Sequence, residues 1–313
     1  MTGKPSLPRR RESIYSKVRS LWIPAFAGMT VLGCSSATIP PNSIISANPC
    51  IDAVLAEIAA PGQIAAVSAY SHDAASASAP LGWARALPAV GITAEEIIAA
   101  RPRLLLTGNL ASIGTNAALN KAGVKMVTFG VPTTVEESIA QVREIAQVIG
   151  REAAGEALVG RIDGALAAPL SPAGGARGGP NNADSATSNI PTPDPSRKRE
   201  GGFGSALIWQ TGGFVAGKGT LQDELLARAG FANASETYGL QQWEQLPLET
   251  VVRKPPSVIF MASSADGDEA RVLAMRKRMI ARLRGKTRIV SFPDKLLFCG
   301  GPTIIDVMAV LKS

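Results

Sequence analysis

Residues 43–73, SIISANPCIDAVLAEIAAPGQIAAVSAYSHD, decide the fold. Ser43–Ala47 and Ile64–Ser68 are short β-rich runs, and the amphipathic segment Ile51–Ala59 lies between them. Strand, helix and strand in so short a span form a βαβ unit, whose two strands pair in parallel.

The alternation continues outward from this unit. Thr93–Ala100 reads as a helix, Arg103–Thr107 as a buried strand of consecutive leucines, Leu110–Ala122 as a helix stopped by Gly123, and Val124–Phe129 as another strand. From Thr133 to about residue 168, Val135, Ile139, Val142, Ile145, Ala146 and Ile149 recur at three- and four-residue spacing. That period predicts one long helix, opened by a capping box of Thr133 and Glu136 and weakened but not broken by Gly150, Gly155 and Gly160. Residues 169–204 are dominated by Pro, Gly, Asn and Ser without periodicity and are expected to be a disordered insertion. A second series follows. Ser205–Gln210, Ser257–Met261 and Arg288–Phe292 read as strands, and Leu221–Ala229, Leu248–Arg253, Asp268–Leu283 and Thr303–Leu311 as helices. The expected architecture is α/β: two Rossmann-like lobes with mainly parallel sheets, 43–132 and 205–313, joined by a single long helix over 133–168.

Composition excludes several functions. Apolar residues make up 46% and charged residues 18%, enough apolar surface for a sizeable core. No run reaches the roughly 18 to 20 apolar residues that a spanning helix needs, so the body of the chain is expected to be soluble. The net charge of +7 is concentrated at the start: residues 1–33 carry six basic groups against one acid, Glu12. The folded part has no surplus of Lys and Arg to neutralise a phosphate backbone, which argues against nucleic acid. Cys34, Cys50 and Cys299 form no C-x-x-C pair and His72 is the only histidine. A zinc ribbon, a dithiol centre or a site for a bare transition ion therefore lacks its ligands.

Residues 1–42 read as a leader or disordered N-terminus. A basic segment precedes the apolar run Leu21–Gly33, and Val31-Leu32-Gly33-Cys34 resembles a lipobox, so export and lipidation at Cys34 are expected. Residues 5–30 also look like the translation of a dispersed bacterial repeat, which leaves a spurious start or a decaying gene copy as the alternative.

Two kinds of site remain. Residues 212–220, GGFVAGKGT, fall between a strand and a helix and nearly fit a phosphate loop, but Gly219 stands where a magnesium-binding hydroxyl is required. A nucleotide-binding α/β enzyme is the weaker reading. No nucleophile elbow is present, and His72 is the only histidine base, so no catalytic residue is assigned. The aromatic residues say more. Tyr70 follows the strand Ile64–Ser68, Trp209 and Phe214 bracket the second-lobe turn, and Trp243 lies in YGLQQWEQLPLE. Aromatic side chains at strand C-terminal ends suit a flat, partly apolar ligand, whereas Trp209, within a strand, is expected to be core.

These stretches resemble the periplasmic-binding family for cobalamin and ferric siderophores over roughly residues 43–312. ISANPCIDAVLAEIAAPGQIAAVSAYSHD, GITAEEIIAARPRLLLTG, QTGGFVAGKGTLQDELLARAG, WEQLPLETVVRKPPSVIF and FCGGPTIIDVMAVL carry the resemblance. It implies the class III periplasmic-binding fold and a non-enzymatic, monomeric substrate-binding protein of an ABC importer, without a resident cofactor. Such a protein works in the periplasm, passing cobalamin or a related corrinoid to the permease and its ATPase subunits; a ferric siderophore or heme is the alternative cargo. It implies ligand contacts by Tyr70 and Trp243, with Phe214, His72 and Lys218 around them, and permease docking by Glu95 and Glu249, or Glu96 if the register slips by one. Ala89, Val90 and Leu296 depart from a cobalamin binder, while Arg85, Lys218 and Lys295 could face an anionic siderophore. Cys50 and Cys299 would pair in an oxidising periplasm if the fold brings them together.

Overall fold

The first βαβ unit forms as its sequence directs. Asn48 caps α1 (Pro49–Ile58), its Oδ1 accepting from the Cys50 and Ile51 amides at 2.8 and 3.2 Å, and Pro49 occupies the first helical turn, where its missing N–H costs nothing. The computed structural model describes residues 43–91, 93–109, 113–169, 203–263 and 270–313. The leader with Cys34, and nearly all of the 169–204 insertion, lie outside the described residues.

The first lobe contains β1 (Ile44–Ser46), α1, β2 (Ile64–Ser68), α2 (Leu81–Arg85), β3 (Ala89–Val90), α3 (Ala94–Ala100), β4 (Leu104–Gly108), α4 (Ile113–Lys121) and β5 (Met126–Phe129). Its sheet is parallel throughout, in the order β3-β2-β1-β4-β5. Leu104, Leu105 and Leu106 are all buried, as a strand covered on both faces requires. The order reverses between β1 and β4, the kind of switch point beside which open α/β sheets bind ligands, at the strand C-terminal ends.

The long helix predicted over 133–168 is instead two, α5 (Val135–Ile149) and α6 (Glu152–Ala167). Gly150 takes φ 68°, ψ 42°, and its amide and that of Arg151 bond back to the Gln147 and Ala146 carbonyls, which ends the first helix in a Schellman turn. After it α6 folds back onto α5. Arg143 pairs with Glu156 at 2.7 Å, and a Cβ on Gly155 would lie 2.5 Å from the Ala146 Cβ. Gly155→Val is therefore expected to separate the two helices and lower the unfolding free energy by about 1–3 kcal/mol, read from a urea melt; an unchanged midpoint would mean that the helices do not meet there. The capping box also lies one residue later than expected, because Thr134 caps the Glu137 amide while the Glu137 carboxylate accepts from the Thr133 amide and hydroxyl.

The second lobe contains β6 (Ser205–Trp209), β7 (Phe214–Ala216), α7 (Leu221–Arg228), β8 (Ala232–Asn233), β9 (Trp243–Gln245), α8 (Leu248–Arg253), β10 (Val258–Ser263), α9 (Ala270–Leu283), β11 (Arg288–Pro293) and α10 (Thr303–Leu311). The sheet order is β11-β10-β6-β7-β9, with β8 beside β6. Strands β6, β8, β10 and β11 pair in parallel, whereas β7 and β9 add antiparallel. This antiparallel edge reads as loop in the sequence, because three-residue strands are too short to show a period.

The lobes share one apolar core. It runs from Val54 and Leu55 in α1 through Val142 and Ile145 in α5 and Leu158 and Ile162 in α6 to Ile304 and Val307 in α10, then to Ala206 and Ile208 in β6. Across the boundary the Glu224 carboxylate of α7 accepts from the first amide of α5 at 2.7 Å, and the Gly301 amide donates to Ser138 Oγ at 2.7 Å. The pairing of Cys50 with Cys299 exists: a disulfide ties the first turn of α1 to the segment preceding α10.

Candidate functional site

Both lobes carry exposed aromatic residues, Tyr70 after β2 in the first and Phe214 and Phe298 in the second. Tyr70 stands in the 3-10 turn Ala69–His72 that follows β2 and is 54% exposed. Three groups hold this turn. The Asp52 Oδ2 accepts from the Ser68 amide at 2.9 Å and from Ser71 Oγ at 2.6 Å. Arg85 donates from Nε and Nη2 to the His72 carbonyl at 3.1 and 2.9 Å. His72 Nε2 lies 3.0 and 3.1 Å from the Ala84 and Leu87 carbonyls. His72 and Arg85 thus spend these atoms on the loop that presents Tyr70.

In the second lobe, Trp243 opens β9 and is half-buried, and its ring lies 6.3 Å from that of Phe298. Phe298 is 55% exposed, and sequence reasoning passed over it while weighing Leu296, which is buried. The available signal was its place beside Cys299 in LLFCGG: a large apolar residue flanking a cystine at a lobe boundary. Phe214, 43% exposed, begins β7. Trp209 is core, as expected. Lys218 is exposed beside Glu236 at 3.7 Å.

The two aromatic groups are linked through the lobe boundary. Ser76 Oγ bonds the Tyr70 carbonyl at 3.1 Å, and two residues on, Ser78 Oγ reaches the Lys295 carbonyl at 2.9 Å and Cys299 Sγ at 3.2 Å. Cys299 is bonded to Cys50 and adjoins Phe298. A cavity of about 400 Å3 lies along the same boundary, lined by Ala53, Glu57, Arg161, Lys295, Thr303 and Asp306 among others. None of the aromatic candidates lines it, so we place the candidate site at the exposed rings rather than in this cavity.

Electrostatics single out Asp52. It is fully buried, and its Oδ1 has no hydrogen-bond partner. Loss of water raises its pKa from 3.8 to about 7 against the opposing hydrogen bonds of Ser46, Ser71 and the Ser68 amide. The Ser46 hydroxyl opposes the rise most, and its Oγ also lies 3.4 Å from the Asn48 carbonyl.

The docking candidates lie on the two lobes, both exposed in the first turns of their helices: Glu95 on α3 and Glu249 on α8. Glu96 is engaged elsewhere, its Oε2 accepting from the Gly91 amide at 3.0 Å and the Thr93 hydroxyl at 3.3 Å. That capping box leaves Glu95 as the outward acid.

The 212–220 segment is not a phosphate loop. Phe214–Ala216 is a strand paired on both sides, so its amides serve the sheet, and the Gly219 amide is taken by Asp223 Oδ2 at 3.1 Å.

Comparison with known proteins agrees with this geometry. Residues 44–173 match the periplasmic binding protein family. No curated protein sequence matches the chain. The fold is that of the periplasmic heme-binding protein RhuT from Roseiflexus sp. RS-1, at 19% identity and TM-score 0.61, over 87% of this chain and 98% of the other. It is likewise that of the periplasmic heme-binding protein HutB of Vibrio cholerae, at 16% identity and TM-score 0.63, over 86% and 97%. CeuE of Helicobacter pylori, solved with Ni(II) bound, shares it at 13% identity and TM-score 0.58, over 90% and 86%.

Proposed function

We propose that this chain, whose residues 44–173 match the periplasmic binding protein family and whose lobes share that fold, is the substrate-binding protein of an ABC importer for a flat tetrapyrrole chelate. The observation that carries this reading is the set of exposed rings on lobes that share a core, Tyr70 after β2 on one and Phe214 at the start of β7 with Phe298 ahead of α10 on the other. Rings stack on a planar ligand and shed water in doing so. The corrinoid reading comes from the resemblance in sequence; relatives named as heme-binding support heme equally. Trp243 backs Phe298, Lys218 offers a cation at the rim, and the chain acts as a carrier rather than a catalyst. Because the lobes share a core, capture proceeds with small shear motions rather than wide closure.

Tryptophan fluorescence titration with cyanocobalamin, hemin and ferric siderophores, corrected for ligand absorbance, tests the reading. Saturable one-to-one quenching by one tetrapyrrole is expected, weakened about tenfold or more by Phe298→Ala or Trp243→Ala. Saturation by a siderophore alone would replace the cargo. No binding by any of these to folded protein would end the receptor reading.

Delivery rests on Glu95 and Glu249, one acid per lobe, which would orient the carrier on basic groups of the permease. Glu95→Lys with Glu249→Lys is expected to abolish cargo-stimulated ATP hydrolysis by the importer while leaving cargo affinity within about twofold. Unchanged stimulation would remove both residues from the docking surface.

A further inference from the structure

We infer that Asp52 is a positioning residue: its ionised carboxylate sets the Tyr70 turn, so cargo binding tightens as Asp52 loses its proton. The inference rests on the receptor reading for the cargo and on geometry for the turn.

Asp52 lies on α1 behind the turn, fully buried, and Oδ2 accepts two hydrogen bonds from the residues on either side of Tyr70, the Ser68 amide and Ser71 Oγ. Ser68 Oγ in turn accepts from the Tyr70 amide at 3.3 Å. Both acceptor bonds strengthen when the carboxylate carries its charge. The second oxygen, Oδ1, makes no hydrogen bond, although the Ser46 hydroxyl lies beside the carboxyl, so the neutral acid competes with the ion.

The groups around Asp52 are uncharged: the Ser46 hydroxyl from β1, the Ser68 amide from β2 and the Ser71 hydroxyl from the turn. The ionisable neighbours are engaged elsewhere. His72 Nε2 meets the Ala84 and Leu87 carbonyls, Arg85 holds the His72 carbonyl, Glu57 pairs with Arg161, and the Cys50 sulfur is in the disulfide. A change of protonation at Asp52 is transmitted to the Tyr70 turn through the two hydrogen bonds of Oδ2.

Two measurements test this. In the free protein, the Ser68 and Ser71 amide resonances are expected to titrate together with a midpoint near pH 7, absent in Asp52→Asn and moved upward in Ser71→Ala, which removes a donor to the ion. With cyanocobalamin or hemin, whichever saturates, affinity is expected to rise about three- to tenfold from pH 6 to pH 8 in the wild type relative to Asp52→Asn, a ratio that cancels titration of the cargo itself. Amides that do not titrate, or identical pH profiles for the two proteins, would overturn the inference. Failure of every cargo to bind would end the receptor reading alone, while the amide titration still decides whether Asp52 governs the turn.

Discussion

Reduction of the Cys50–Cys299 bond is expected to lower the unfolding free energy by about 3–5 kcal/mol. The two cysteines are 249 residues apart, so the bond closes nearly the whole folded chain and removes much of the freedom of the unfolded state. It also fixes the segment carrying Phe298 against the first turn of α1, where Cys50 Sγ lies 3.8 Å from the Phe298 carbonyl. Urea unfolding of the oxidised protein, the reduced protein and the Cys50→Ser, Cys299→Ser double variant measures the effect. The last two should coincide, and both should bind cargo more weakly than the oxidised protein. Equal midpoints for all three would show that the shared apolar core alone holds the lobes together.

The second large effect is the pH dependence of stability arising from Asp52. Its pKa is about 7 in the folded protein against an ordinary 3.8, with burial as the leading cause. The folded state therefore binds a proton that the unfolded state has released between these values, and stability from this group falls as pH rises. The contribution is complete below pH 3.8 and lost once pH passes about 7. A shift of this size corresponds to about 4 kcal/mol. The stability of the wild type minus that of Asp52→Asn is expected to fall by that order between pH 4 and pH 8. Parallel curves would mean that the carboxyl takes up water on folding and titrates normally. On the inference drawn above, the same ionisation that costs stability strengthens the bonds to the Tyr70 turn.

Most strands and helices of both lobes were legible because they are long enough to show a period or are bounded by a strong cap, whereas α2 and β3, five and two residues long, were not. Leu248–Arg253, Ile64–Ser68 and Thr303–Leu311 fall where their patterns place them. Gly150 was misread because glycine inside an apolar period can be tolerated or can end a helix. Which occurs depends on whether something covers the folded-back segment, and here α1 and α10 do. Strands β7 and β9 escape a local reading because each has only three residues and is held by pairing, β7 on β6 and β9 on β7, rather than by a period of its own.

The family resemblance, Tyr70, Trp243, Phe214 and the outward acids Glu95 and Glu249 could be named from the sequence, since each sits beside a local signal. The sequence by itself determined the alternation of strand and helix and the α/β class that follows from it, because hydrophobic period and capping act over a few residues. Only the tertiary structure decided that Phe298 joins Trp243, that Cys50 meets Cys299, and that Asp52 is buried behind the Tyr70 turn with one oxygen unpartnered. Those outcomes depend on which surfaces exclude water together, and water is excluded by segments too far apart in the chain for a local pattern to relate them.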